Sequence, residues 1–256
     1  MHPILLNIGH ITLYTYGLFL ALGFIIAIWF SKRNAAFFNI KAEDISDLFF
    51  FILVSAIIGA RLLYVGINFE TFKANPLEAF KIWNGGLVFF GGFIAATLTS
   101  LVFLKQRGLP ILKIGDVVAP GIALGHAVGR LGCFFAGCCY GKTCDLPFAI
   151  TFSHPQSLAP LGTPLHPTQL YMVGSNLILF FILLAFQKRK RFNGMIFLAY
   201  IMLYSTFRAG IEYFRGDFRG DFFFEFLSLS QGIGLSVSLI ALVVMIHLSR
   251  NTHARC

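Results

Sequence analysis

The stretch GHAVGRLGCFFAGCCYG, from Gly125 to Gly141, places an ionisable pair, His126 and Arg130, inside a run otherwise apolar enough to cross a membrane. Charge at membrane depth is costly, at least ~2.5 kcal/mol for an arginine on insertion scales, and marks a functional site by default. The surrounding chain has the same character. Of 256 residues, 57% are hydrophobic and only 12% charged, and the mean hydropathy is +0.78, more apolar than a soluble domain of this length.

A hydrocarbon core roughly 30 Å thick takes about 20 mostly apolar residues to span. Seven stretches qualify: Ile11 to Phe30, Ile45 to Gly66, Gly86 to Leu104, Ile114 to Ala136, Pro167 to Phe186, Gly194 to Phe214, and Phe226 to Leu248. The expected fold is an all-α polytopic membrane protein of about seven transmembrane helices, forming a single domain over residues 1–256. Cytoplasmic loops retain Lys and Arg. Twelve of the twenty basic residues follow the first, third, fifth and seventh stretches: Lys32, Arg33, Lys41, Lys105, Arg107, Lys113, Lys188, Arg189, Lys190, Arg191, Arg250 and Arg255. Only Lys73, Lys81, Lys142, Arg215 and Arg219 lie in the other loops. The amino terminus is therefore expected outside and the carboxyl terminus in the cytoplasm. The same placement accounts for the net charge of +9 by anionic lipid headgroups rather than nucleic acid. With no basic residue before the first apolar run and no small-residue cleavage pattern, that run is expected to stay as a helix rather than be removed as a signal peptide. The repeat RGDFRGD, Arg215 to Asp221, reads as a solvated turn.

On this topology the polar intramembrane groups gather toward the outer side: Tyr16, Arg61, Arg130, Gln169, Arg208, Glu212 and Gln231, with His126 slightly outside the midplane and His166 at the outer mouth. His126 and Arg130 are four residues apart, as are Arg208 and Glu212, so each pair shares a helix face. Three in-membrane arginines meet one clear carboxylate, which points Arg130 and Arg208 toward an anion; guanidinium suits phosphate because its planar fork grips two oxygens. Glycines in GGLVFFGGF, Gly85 to Phe93, read as close helix packing at Gly91 and Gly92. Asp116 is explained by helix capping.

Cys133, Cys138, Cys139 and Cys144 cluster within twelve residues, and Cys256 ends the sequence. Outside the membrane of a bacterium they would face an oxidising compartment, so a structural disulfide is expected first, packing thiols second. A metal comes third, because C-x4-C-C-x4-C is not a standard zinc spacing. No metal or other cofactor is expected, and no P-loop, dinucleotide motif or seryl triad occurs.

Taken together, YGLFLALGF from Tyr16, GARLLYV around Arg61, IWNGGLVFFGGF from Ile82, GRLG at Arg130, HPTQLY from His166 and FRAGIEYFR from Phe207 to Arg215 resemble the prolipoprotein diacylglyceryl transferases, in order and spacing over nearly the whole chain. The resemblance implies an enzyme of the bacterial inner membrane with its active site toward the outer leaflet. It implies transfer of a diacylglyceryl group from phosphatidylglycerol to the lipobox cysteine thiol of a prolipoprotein signal peptide, with release of glycerol phosphate. By motif, Arg130 and Arg208 would hold the headgroup and support the leaving phosphate; Tyr16, Gly141, Glu212 and Arg215 would line the site, with Arg61 and His166 as further candidates.

The chain departs from the family pattern where Phe90 replaces a histidine commonly assigned a catalytic role, where Cys133 replaces Asn, and where Cys138 and Met172 replace acids. His126, one turn before Arg130, is the residue expected to take the proton from the acceptor thiol, as a neutral imidazole can. Two other classes of function fit parts of the sequence. A membrane thiol/disulfide redox protein would use the four outer cysteines, although C-x-x-C is absent; a non-catalytic relative would bind lipid or signal peptide without transfer.

Overall fold

The computed structural model describes residues 2–8, 11–217, 222–224 and 227–253. Arg219 and the end of the RGDFRGD repeat, Phe226, Arg255 and Cys256 lie outside the described residues. Among the described residues seven helices are long and apolar enough to cross a membrane, so the chain is an all-α, multi-pass membrane protein. They are α1 (Thr15–Phe37), α2 (Ala42–Ile67), α4 (Phe89–Gln106), α5 (Ile111–Ala136), α6 (Thr168–Gln187), α7 (Met195–Glu212) and α8 (Leu229–His253), with a short α3 (Phe69–Ala74) and two 3-10 turns, Pro76–Phe80 and Ile82–Asn84, between α2 and α4. Large apolar side chains such as Phe50, Leu62, Phe93, Phe181 and Leu239 stand exposed on them. That inverts the rule for a water-soluble fold and suits a surface solvated by acyl chains.

Most expected spans agree with these helices to within a few residues at either end, but the first does not. Ile11–Tyr14 forms a strand, β2, antiparallel to β1 (Ile4–Ile8). The helix begins only at Thr15, whose N–H donates to the Pro3 carbonyl at 2.9 Å and whose hydroxyl donates to the His2 carbonyl at 2.5 Å. Isoleucine, threonine and tyrosine are β-formers as well as apolar, so hydropathy alone cannot separate this strand from the helix it feeds.

Contacts divide the chain into two compact units, Lys32–Ile114 and the remainder, Met1–Ser31 with Gly115–Cys256. In the first, α2 and α4 approach through small residues: a Cβ on Gly92 would lie 2.9 Å from the Ala56 carbonyl oxygen, and one on Gly91 would strike the Gly59 carbonyl. The packing role expected of Gly91 and Gly92 is what the structure shows.

In the second unit the same device joins α1 to α5. A Cβ on Gly125 would lie 2.6 Å from the Gly23 oxygen, one on Gly121 would lie 2.7 Å from the Ala27 oxygen, and one on Gly132 would meet Phe19 Cβ at 2.9 Å and the Tyr16 oxygen at 3.2 Å. These contacts fix Tyr16 beside the GRLG turn. Asp116 does cap a helix, but not its own. Fully buried, it accepts from the N–H groups of Gly194 at 2.7 Å and of Ile196 and Phe197 at 2.9 Å, while Lys190 lies 3.0 Å away. The carboxylate thus satisfies the open N-terminus of α7 and complements its dipole, which sets that helix against α5.

A candidate lipid-phosphate site at the GRLG turn

Along α7, Tyr200, Tyr204, Arg208 and Glu212 recur every four residues and so lie on one face. Arg130 of α5 donates to the Tyr204 hydroxyl oxygen. Tyr200 is buried and its hydroxyl lies 3.1 Å from His126 Nδ1, and the Tyr204 ring centroid is 5.3 Å from that of His126. The expected pair His126 and Arg130 is thus brought against two tyrosines that the sequence reading passed over. The four-residue recurrence on α7 was the signal that could have found them.

Farther along the same face, Arg208 Nη1 meets Glu212 Oε2 at 2.5 Å, and Ser230 of α8 donates to Glu212 Oε1 at 2.8 Å. Arg215 is buried; it forks onto Asp217 through Nε at 2.8 Å and Nη2 at 2.6 Å and lies 3.7 Å from Glu212. Two guanidiniums, Arg208 and Arg215, thus face two carboxylates, Glu212 and Asp217, and the charges of this cluster balance. Held by Asp217 and lying beside Cys139, the Arg215 guanidinium stays protonated more firmly than usual despite burial.

Downstream of α5 the backbone is knitted tightly. Gly141 N–H donates to the His166 carbonyl at 3.0 Å, His166 N–H to the Lys142 carbonyl at 2.9 Å, and Lys142 N–H to the Phe214 carbonyl at 2.8 Å. Gly141 is buried and pairs with Arg215 in an antiparallel bridge. A Cβ there would strike the His166 side chain and sit 2.8 Å from the Phe214 oxygen, so glycine is required for the close approach of three segments. His166 is half-buried, with Nδ1 3.0 Å from the Tyr171 hydroxyl. Gln169 and Gln231 spend their amides on carbonyls, of Cys138 at 2.8 Å and of Ala209 at 3.1 Å. Met172, where the resemblance implies an acid, is buried.

The disulfide expected first among the outer cysteines is not formed: Cys133, Cys138, Cys139 and Cys144 are all thiols. Cys139 sits in the left-handed region at φ 62, rarely adopted by a residue with a Cβ. Its thiol is pushed down from the ordinary range because the Cys133 and Cys138 thiols hydrogen-bond its sulfur and the Arg215 guanidinium lies beside it, whereas hydrogen bonds with the Cys133 and then the Cys139 sulfur push the Cys138 thiol up.

Arg61 belongs to the other unit, where it does something different. Nε donates to the Ala79 carbonyl at 2.8 Å, Nη1 to Gly85 at 2.7 Å and Gly86 at 3.2 Å, and Nη2 to Glu78 at 2.7 Å and Lys81 at 3.3 Å. Phe90, where the resemblance implies a histidine, is exposed and offers no proton-carrying atom.

The model of the family "Prolipoprotein diacylglyceryl transferase" matches residues 3–248. The chain belongs to this family. Three curated relatives bear the name phosphatidylglycerol–prolipoprotein diacylglyceryl transferase. The chain is 32% identical to the one from Clostridium tetani over 95% of its own length and 96% of the relative's. It is 34% identical to the Vibrio atlanticus protein over 98% and 92%, and 36% identical to the Pseudoalteromonas translucida protein over 95% and 91%. The family match covers all but the ends of the described residues, and the GRLG, HPTQLY and FRAGIEYFR stretches fall within it.

Proposed function

We propose that this protein transfers the diacylglyceryl group of phosphatidylglycerol to the lipobox cysteine of prolipoproteins, in the bacterial inner membrane with the site toward the outer leaflet and the amino terminus outside. The observation that carries the reading is the family match over residues 3–248, within which Arg130 of GRLG meets Tyr204 on the α7 face that also bears Arg208 and Glu212. Arg130 and Arg208 grip the phosphate. The acceptor thiol, with an ordinary pKa near ~8.5, must lose its proton to attack. Its sulfur then bonds to the glyceryl carbon next to the phosphate, the carbon–oxygen bond breaks, and glycerol phosphate leaves with the bonding pair. Charge gathers on that phosphate, where preorganised guanidiniums act most strongly.

His126 takes the proton from the thiol. The neutral ring can do so only if Nδ1–H donates to the Tyr200 oxygen, which leaves Nε2 as the base. Tyr16, Gly141, Glu212, Arg215 and His166 line and brace the site, while Arg61, its guanidinium occupied by carbonyls, holds the loop at 78–86. The test is a mass assay: purified protein in detergent with phosphatidylglycerol and a lipobox peptide. A diacylglyceryl mass gain on the peptide cysteine, absent with Arg130→Ala, is expected; no gain while an authentic family enzyme is active alongside would overturn the reading.

A further inference from the structure

Three sulfurs converge at the end of α5. The Sγ atoms of Cys133, Cys138 and Cys139 all lie within 4.8 Å of one another. The backbone is shaped to bring them there: Gly137 turns at φ 76 and Cys139 at φ 62. Two side chains from the start of α6 then hold the turn, Thr168 Oγ1 donating to the Cys139 carbonyl at 2.6 Å and Gln169 Nε2 to the Cys138 carbonyl at 2.8 Å. Tetrahedral zinc with thiolates at about 2.3 Å separates its sulfurs by about 3.8 Å. Closing from 4.8 Å to that spacing takes side-chain shifts of about 1 Å or less.

We propose that Cys133, Cys138 and Cys139 bind one zinc-like divalent ion through three thiolates, leaving a fourth position open for the acceptor thiol of the prolipoprotein. The role of that fourth ligand rests on the transferase reading; the metal site itself does not. Three thiolates and a divalent ion leave one surplus negative charge. The Arg215 guanidinium hydrogen-bonds the Cys139 sulfur, and Arg130 acts on Cys133 and Cys139. Such outer donors orient ligands and temper their charge. A catalytic zinc keeps one position for water or substrate. When the acceptor enters, its S–H bond breaks and the sulfur keeps both electrons and replaces the metal-bound water. The proton passes through water to His126, and the oxidation state of the metal does not change. This gives the chain a second means of making the thiolate where Phe90 stands in for the family's histidine, and it uses the two cysteines that replace the family's Asn and acid.

The experiment is cobalt loading of the full-length protein, purified under reducing conditions, followed by zinc titration and metal analysis, with diacylglyceryl transfer measured on the same samples. Expected are thiolate-to-cobalt charge-transfer and tetrahedral ligand-field bands, displacement by about one zinc per chain as a single three-thiolate site requires, loss of both in Cys133→Ser and Cys138→Ser, and retention in Cys144→Ser. Absence of the bands in the wild-type protein, or a mass showing a disulfide among the three cysteines, overturns the site. Full-rate transfer by metal-stripped protein overturns the role of the fourth position and leaves the transferase reading standing. Metal binding without transfer by the loaded protein upholds the site and overturns the transferase reading instead.

Discussion

Arg61 and Arg130 are both arginines inside apolar helices, both preceded by small residues, yet the structure uses them in opposite ways. The Arg61 guanidinium is buried and donates to five carbonyls, those of Glu78, Ala79, Lys81, Gly85 and Gly86. Arg130 meets a tyrosine hydroxyl and stands near thiols, and Arg208 pairs with the Glu212 carboxylate. An arginine whose fork is filled by backbone is a structural clasp; one presented to a few side chains retains capacity for an incoming anion. Depth in the membrane does not separate the two uses. The number and kind of acceptors around the fork does.

The comparison predicts different failures. Arg130→Ala is expected to lower kcat/KM for diacylglyceryl transfer by about 10²–10³-fold, the size of losing one preorganised donor to developing charge, with little change in thermal unfolding. His126→Gln follows, with kcat down by about 10²-fold if it is the proton acceptor; full activity in that variant removes the role, and a pH–rate profile that loses its acidic limb marks the general base. Arg61→Met should do the reverse. Orphaning buried carbonyls costs about 1–3 kcal/mol apiece, so several degrees of melting temperature go while transfer per folded molecule is kept, as thermal unfolding and an active-site titration would read. Asp116→Asn is the mildest. It weakens the cap on α7 by about 1–2 kcal/mol and breaks the pair with Lys190, lowering the melting temperature with activity near wild type.

The membrane fold was legible because lipid imposes a single requirement, about 20 apolar residues in a row, and the chain meets it seven times. Arg130, Arg208 and Glu212 were legible because charge in such runs is conspicuous and helical spacing pairs it. Three things were not. The β1–β2 hairpin hides in residues that serve helix and strand alike. Asp116 looks like the cap of its own helix, and only the fold shows it beneath α7, 78 residues away. The purpose of Arg61 depends on carbonyls 17 to 25 residues downstream, in a loop whose conformation no periodicity encodes. The cysteines lie between these cases. Their clustering was plain, but compartment chemistry argued for a disulfide, whereas the turn at Gly137 and Cys139 collects three thiols.

The central claim is that the Arg130 fork, and not merely its charge, grips the lipid phosphate. Arg130→Lys separates the two, because lysine keeps the charge and loses the planar pair of donors. The rate of diacylglyceryl transfer per folded molecule should fall at least about tenfold, the loss of one charge-assisted hydrogen bond at roughly 1.5–3 kcal/mol, with an unchanged melting temperature. Transfer at the wild-type rate in Arg130→Lys would contradict the account.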